Sequence, residues 1–171
     1  MLFENAKPGD GNYDRVVNAS VQNTLAMTMG QWHDILTDAY LKLRVIPAER
    51  WIDGVWVREE NKQCCMLGHY ARLTSETPDI YSIDNCANVS VDGTLRTIFS
   101  GLNLHPPEDY NDNKNVFLYN EYDNPNNHDL NTPRGRSLAA LEIALNTLCD
   151  NFNSNPNVAN LSYRDAKRFL V

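Results

Sequence analysis

Basic clusters and long apolar runs are both missing from the sequence, and their absence excludes two classes of protein. The chain has 15 lysines and arginines against 22 aspartates and glutamates, which gives a formal net charge of −7. Phosphate binding needs clustered lysine and arginine, so a nucleic-acid-binding surface is not expected. No apolar run approaches the roughly 18 residues of a membrane-spanning helix. We therefore do not expect a membrane protein either.

Cysteine is scarce, and its arrangement favours reduced thiols over disulfides or a metal site. Residues 1–10 lack the basic start and the apolar core of a signal peptide. The four cysteines are therefore expected to be reduced in a cytoplasmic protein. Zinc would need a fourth ligand, His105 or His128, beside Cys64, Cys65 and His69, and no Cys-x-x-Cys or His-x-x-x-His spacing supports such a site. Neither a metal nor another cofactor is predicted.

Length and composition indicate a single globular domain. A chain of 171 residues is long enough to bury about two-thirds of its unfolded surface in one core. Its hydrophobic content of 42% and its charged content of 22% are ordinary for a globular protein. Residues 1–13 are polar and contain Pro8, Gly9 and Gly11. We interpret them as an N-terminal arm and assign residues 14–171 to the domain.

Apolar periodicity predicts a mainly α-helical fold. Residues 31–45 carry apolar side chains at helical spacing along one continuous stripe. Thr132 followed by Pro133 is a strong helix start, and an apolar helical face follows it. A shorter helix over residues 93–100 is predicted, with Asp92 as its N-cap.

The segment 51–57 predicts a small β-hairpin. Asp53-Gly54 accepts the positive φ of a two-residue turn, and the tryptophan, isoleucine and valine residues on either side suit short strands. The predicted fold class is therefore mainly α with a small β-hairpin. The alternative is an α+β domain in which residues 14–29 and 116–119 form further strands.

The residues after this hairpin predict a helix with one buried stripe. Cys65, His69 and Leu73 recur every four residues, which is the spacing of one helix face. Gly68 lies inside the pattern, where glycine costs about 1 kcal/mol relative to alanine. It therefore indicates close packing at that point, with a tryptophan ring as a candidate neighbour.

Cys65 and His69 also form the candidate catalytic pair. Residues at i and i+4 of a helix are neighbours, and a histidine beside a thiol lowers its pKa and yields a thiolate nucleophile. Asp123, or alternatively Asn120, is the candidate third residue that orients the imidazole. The competing interpretation is a buried cysteine beside a structural histidine. The burial preference of free cysteine favours that second interpretation.

A candidate ligand site lies at the start of the helix that begins near Thr132. The free N–H groups and the positive dipole end of a helix N-terminus attract anions such as a phosphate or a nucleotide. The candidate ligand-binding residues are Trp51, Trp56, Asn120, Thr132, Arg134 and Arg136. The polar loop before the helix contains Asn120, Glu121, Asp123, His128 and Asp129. The alternative is an asparagine-rich surface loop over a capped helix, with the tryptophans in the core.

Several of these residues together resemble a known family. A tryptophan followed by a glycine, then Cys-x-x-Gly, then an Asn/Asp pair and a threonine-led helix is similar to a family of uncharacterised small bacterial and phage proteins, a domain of unknown function. The residues that carry the resemblance are Trp51, Gly54, Cys65, Gly68, Asn120, Asp123 and Thr132. It covers residues 32–148, and the chain departs from it at His69, where a small residue is usual. The resemblance implies a phage or bacterial origin, with a location in the host cytoplasm if the protein is phage-encoded.

The sequence therefore favours a function without catalysis. The leading interpretation is a small acidic accessory protein of phage or bacterial origin that binds a protein partner or a small ligand. One alternative is a cysteine-dependent enzyme that uses Cys65 and His69 for acyl or glycosyl transfer. The other is a protein that sequesters a nucleotide or another small anion near Thr132. The sequence does not define the oligomeric state.

Overall fold

The computed structural model describes residues 11–58, 60–74, 86–104, 124 and 126–171. Within these ranges the chain forms six α-helices, three short 3-10 helices and one two-stranded antiparallel sheet. The α-helices are α1 (Gly11–Ala26), α2 (Met29–Leu43), α3 (Met66–Thr74), α4 (Cys86–Gly101), α5 (Pro133–Ser154) and α6 (Tyr163–Ala166), and the strands are β1 (Val57–Arg58) and β2 (Gln63–Cys64). The fold class is mainly α with a small hairpin, as predicted.

The first helix settles the ambiguous segment 14–29. It is helical from Gly11 to Ala26, so the alternative strand is wrong for these residues, while the other proposed strand, 116–119, lies outside the described residues. Hydroxyl groups join α1 to α4, because Ser20 Oγ donates to Ser90 O at 2.6 Å and lies 2.9 Å from Thr94 Oγ1. Contacts of this kind override the strand preference of β-branched residues.

The second helix begins with a capping box that was not predicted from the sequence. Gln31 N donates to Thr28 Oγ1 at 3.1 Å, and Thr28 N donates to Gln31 Oε1 at 2.9 Å. These bonds satisfy donors that the helix itself leaves free. Helix α2 therefore begins at Met29 rather than at the predicted residue 31. Its buried face consists of Met29, Trp32, Leu36, Ala39 and Leu43.

Trp32 lies at the junction of four helices. Its side chain is fully buried, its Nε1 donates to Thr24 O of α1 at 2.8 Å, and its ring stacks on Tyr163 of α6 with the centroids 5.1 Å apart. A Cβ at Gly101 of α4 would come within 2.7 Å of the indole ring. The tryptophan thus fixes how closely these helices approach one another.

The hairpin exists, but its turn does not lie at Asp53-Gly54. Val57 pairs with Cys64 and Arg58 with Gln63, so the strands are joined by residues 59–62. Asp53-Gly54 is a separate bend, with Gly54 at φ +81°. The prediction was misplaced because Trp51 also pairs with Cys64, in parallel. The two arms of the predicted hairpin therefore meet the same strand instead of each other.

The close packing predicted at Gly68 is confirmed, although the neighbour is backbone and not a ring. A Cβ at Gly68 would lie 2.0 Å from the carbonyl oxygen of Trp56. The same oxygen accepts a hydrogen bond from Cys65 N at 3.2 Å. Helix α3 therefore lies directly against the bend that precedes β1.

Asp92 is not an N-cap, contrary to the prediction from the sequence. Helix α4 already begins at Cys86, so Asp92 lies in its interior, where Arg96 Nη2 donates to Asp92 Oδ1 at 3.1 Å. Burial raises the pKa of Asp92, and the Arg96 guanidinium offsets only part of this. A cap and an i,i+4 ion pair use the same residue type, and sequence alone does not separate them.

Helix α5 begins as predicted. Gly135 N donates to the side chain of the N-cap Thr132 at 3.0 Å, and Pro133 occupies the first turn. Nearly all of its first half is buried, and α2 is its main helical neighbour. Among the described residues, none of the helices has the length and apolar character needed to cross a membrane.

Candidate functional site

Cys65 and His69 are both buried, and burial removes the charges that a nucleophilic pair would need. It raises the pKa of the Cys65 thiol to about 12, although the backbone N–H groups of Gly68 and Leu67 stabilise the thiolate. It lowers the pKa of His69 to about 4. His69 Nε2 donates to Arg50 O at 2.8 Å, and its ring lies 4.8 Å from that of Trp51. This geometry supports the structural interpretation of the pair.

The proposed third members of that site cannot be placed. Asn120 and Asp123 lie outside the described residues. Within the described part of the chain, no hydrogen bond joins the Cys65 thiol to the His69 imidazole, and His69 Nδ1 is buried without a partner. The two tryptophans of the candidate ligand site pack in or against the core. Trp51 is a core residue whose Nε1 donates to Ile46 O at 3.3 Å, while Trp56 packs against the core half-buried.

The two arginines of the candidate anion site are engaged within the chain. Arg134 Nε donates to Ile46 O at 3.1 Å, and its Nη2 donates to Arg44 O. Arg136 is fully buried and donates to Asp53 Oδ2 at 2.9 Å and to Leu130 O at 3.2 Å. Both guanidinium groups therefore anchor the start of α5 to neighbouring segments.

The N-terminus of α5 is also covered. Thr132 occupies the capping position, and a Cβ at Gly135 would lie 1.9 Å from Asp129 O. The turn over residues 129–132 thus lies directly against the first helical turn. An anion would have to displace this turn to reach the free N–H groups.

A different polar group forms the best-defined candidate site, and we call it the Glu142 cluster. It consists of Tyr40, Asn126, His128 and Glu142. Glu142 Oε1 accepts hydrogen bonds from the Tyr40 hydroxyl, from Asn126 Nδ2 and, at 3.0 Å, from His128 Nε2. Helices α2 and α5 supply Tyr40 and Glu142, and the segment before α5 supplies the other two residues. The His128 and Glu142 side chains are only 12% and 10% exposed.

The segment that carries Asn126 and His128 is fixed by its own hydrogen bonds. Asn124 Nδ2 donates to His128 O at 3.0 Å, and His128 N donates to Asn124 Oδ1 at 3.1 Å. Asn127 adopts φ +50°, a conformation that asparagine tolerates better than most residues. The asparagine-rich composition of this stretch therefore has a local structural reason.

The electrostatics of the Glu142 cluster keep its carboxylate charged. Burial would raise the pKa of Glu142, but the hydrogen bonds from Tyr40, His128 and Asn126 outweigh burial, and the pKa lies below its ordinary value. Burial and the hydrogen bond to Glu142 raise the pKa of Tyr40 to about 12. Around neutral pH the phenol is thus a donor and the carboxylate an acceptor.

The second oxygen of this carboxylate is the unusual feature. Glu142 Oε2 is buried and has no hydrogen-bond partner among the described residues, while Oε1 receives three donors. Leaving a buried acceptor unsatisfied costs about 1–3 kcal/mol, more when it is charged. The arrangement favours a donor that comes from outside the described chain.

Sequence reasoning named His128 but missed Tyr40 and Glu142. In the sequence, Tyr40 falls within the apolar stripe of residues 31–45, and Glu142 stands between Leu141 and Ile143. The available signal was a glutamate inside a helical run whose neighbours are all apolar, since an unpaired charge is rarely buried. Its partners could not be identified, because 102 positions separate Tyr40 from Glu142.

A second thiol–imidazole pair was also missed. Cys149 Sγ of α5 lies 3.6 Å from His33 Nε2 of α2, and both residues are half-buried. His33 Nδ1 lies 3.5 Å from Thr37 Oγ1. The described residues contain no group of three or more histidine, cysteine or acidic side chains that could hold a metal ion.

Comparisons of the chain with protein-family models, with curated proteins and with solved structures found no match. The resemblance to the uncharacterised bacterial and phage family therefore stays a prediction.

Proposed function

We propose that the protein is a small acidic accessory protein that works by binding, and that Glu142 receives a cationic donor of its ligand or partner. A primary ammonium or a guanidinium group fits this role. The observation that carries the proposal is the buried Glu142 Oε2, which has no partner among the described residues although its carboxylate stays charged.

The surroundings of Glu142 favour a cation over an anion. Tyr40, Asn126 and His128 hold Oε1 in place, which leaves Oε2 as a fixed acceptor whose position is set before binding. Asn126 is exposed, so the cluster lies at the edge of the core. The chain as a whole carries a charge of −7, which attracts cations over long distances.

The groups proposed earlier for other functions support binding without catalysis. Cys65 is a neutral thiol around neutral pH because burial raises its pKa to about 12. Arg134 and Arg136 already donate to carbonyl and carboxylate groups of the chain. The raised pKa of Cys65 therefore disfavours acyl transfer at this thiol, and the existing hydrogen bonds of Arg136 disfavour anion binding there.

The test is a thermal-shift and calorimetry panel with two classes of ligand. One class contains polyamines, agmatine and arginine, and the other contains phosphate and nucleotides. We expect members of the first class to raise the Tm of the wild-type protein and to leave the Tm of Glu142→Gln unchanged. Asp92→Asn, which changes another buried carboxylate, is the matched control and should keep the response.

Two outcomes would contradict the proposal. One is stabilisation by nucleotides alone, which would favour the anion-sequestering function. The other is an equal response of the wild-type protein and Glu142→Gln to the amines, which would show that binding occurs away from Glu142.

A further inference from the structure

We infer that Cys149 and His33 form a thiol-exchange site, at which a low-molecular-weight disulfide modifies Cys149. The site is separate from the Glu142 cluster and does not depend on the proposed binding function. It is built between helices α2 and α5, which hold the thiol and the imidazole 3.6 Å apart.

The geometry orients the imidazole towards the thiol. Thr37 Oγ1 lies 3.5 Å from His33 Nδ1 and accepts a hydrogen bond from Nδ1–H in the tautomer that leaves Nε2 without a proton. Nε2 then accepts the proton of the Cys149 thiol. The ring of Phe152 lies 6.0 Å from the imidazole, so packing restricts the motion of His33 on one side.

Exposure distinguishes Cys149 from two other cysteines of the chain. Cys64 and Cys65 are buried, and burial raises the pKa of their thiols to about 11 and about 12. Cys149 is half-buried, so a disulfide reaches it from solvent. Thiol reactivity depends on access, and access favours Cys149 over the buried pair.

The reaction is balanced and needs no co-reactant beyond the disulfide. Cys149 Sγ attacks one sulfur of R–S–S–R, a new S–S bond forms, and the original S–S bond breaks. The thiol proton passes to His33 Nε2 and then to the departing R–S⁻. The products are Cys149–S–S–R and R–SH, and an excess of free thiol reverses the step.

The experiment uses the whole chain with oxidised glutathione as the probe. The protein used carries the substitution Cys86→Ser, because the Cys86 side chain lies outside the described residues and its thiol would otherwise be a further site for an adduct. Intact mass and peptide mapping should show one adduct, on Cys149, while Cys64 and Cys65 stay unmodified until the protein is denatured. Cys149→Ser should abolish the adduct.

The part played by His33 is tested by rate. His33→Gln should slow the modification by about tenfold or more, since the neighbouring base is lost. Thr37→Val, which removes only the hydroxyl, should slow it by a smaller factor. Circular dichroism checks that each variant is folded.

Three results would overturn the inference. The first is a Cys149 that reacts no faster than Cys65 in the folded protein. The second is an unchanged rate in a folded His33→Gln variant. The third is an adduct on Cys64 or Cys65 in place of Cys149. The first and third results are obtained with His33 unchanged, so they do not depend on whether the His33→Gln variant folds.

Discussion

Arg136 and Glu142 are both buried charges on helix α5, but the two regions around them differ. Arg136 is fully buried and donates to Asp53 and to the Leu130 carbonyl. Glu142 has all its donors on Oε1, while Oε2 has no partner among the described residues. Removing a buried charge that already has partners leaves those partners unpaired and destabilises the fold. A buried charge with one oxygen unsatisfied retains capacity for a ligand.

The largest effect is expected at Arg136. Arg136→Met would leave Asp53 and the Leu130 carbonyl without their donor, and breaking a buried ion pair costs about 3–5 kcal/mol. Urea denaturation should show a loss of about 3 kcal/mol, because the Asp53 side chain is 25% exposed and is partly rehydrated. The matched control is Arg164→Ala, since Arg164 bonds Gln22 at the surface and should change stability by less than about 0.5 kcal/mol. A loss at Arg136 no larger than at Arg164 would remove the contrast between the two regions.

A smaller effect is expected at Tyr40. Tyr40→Phe removes one of the donors that hold Glu142 Oε1, and hydrogen bonds to charged groups contribute about 1.5–3 kcal/mol. We expect a loss near the lower end, about 1.5 kcal/mol, because Asn126 and His128 still donate. Equilibrium unfolding measures it. An unchanged stability would mean that the phenol does not donate to Glu142 in solution.

Glu142→Gln should cost less than either of these changes. The amide oxygen can accept the existing donors, and the variant no longer buries a half-satisfied charge, so we expect a change within about 1 kcal/mol of the wild type. The measurement is again urea denaturation, without added ligand. If the loss matched that of Arg136→Met, Glu142 would be fully paired in solution and the comparison would fail.

Acidification should change the free energy of unfolding in opposite directions at two buried carboxyl groups, Glu142 and Asp92. The pKa of Glu142 is lowered in the folded state, so its contribution to stability is complete above its ordinary pKa of about 4.5 and is lost as the pH falls through the folded-state pKa. The pKa of Asp92 is raised, so burying its charge destabilises the fold at neutral pH and protonation relieves this cost. The stability of the wild type relative to Glu142→Gln should therefore fall on acidification, while that relative to Asp92→Asn should rise. Urea midpoints between pH 3 and pH 7 would test both, and a shared direction would contradict the assignment.

Local sequence signals predicted the elements that depend on neighbours in the chain. The start of α5 at Thr132-Pro133 is of this kind, because a helix cap follows from local backbone geometry. Gly68 indicated tight packing, but its neighbour, the Trp56 carbonyl, is a tertiary contact that the sequence did not identify. The turn at Asp53-Gly54 was misplaced because it depends on which segment pairs with Cys64, and that pairing is tertiary. Asp92 was wrongly predicted as an N-cap because α4 begins at Cys86, earlier than its apolar pattern suggests.

The candidate sites depended almost wholly on tertiary contacts. The i,i+4 rule predicted Cys65 and His69 on one helix, but Cys65 lies just before α3, which begins at Met66, and the core around the two residues determines their charge. The Glu142 cluster joins α2, α5 and the segment between residues 124 and 128, so no spacing rule contains it. The pairing of Cys149 with His33 spans 116 positions. In each case a helix face could be predicted, and its partner could not.

The packing of Trp32 allows intrinsic tryptophan fluorescence to report on the core. Its indole is enclosed by Thr24, Gly101 and Tyr163, whereas Trp56 is only half-buried. Iodide or acrylamide should therefore quench the emission of Trp56 first and reach Trp32 only when the helices around it separate. The blue-shifted, quencher-resistant part of the fluorescence comes from Trp32 and the buried Trp51. Its quenching measures how often the core around these two residues opens in the native state, which is a local property that global unfolding does not report.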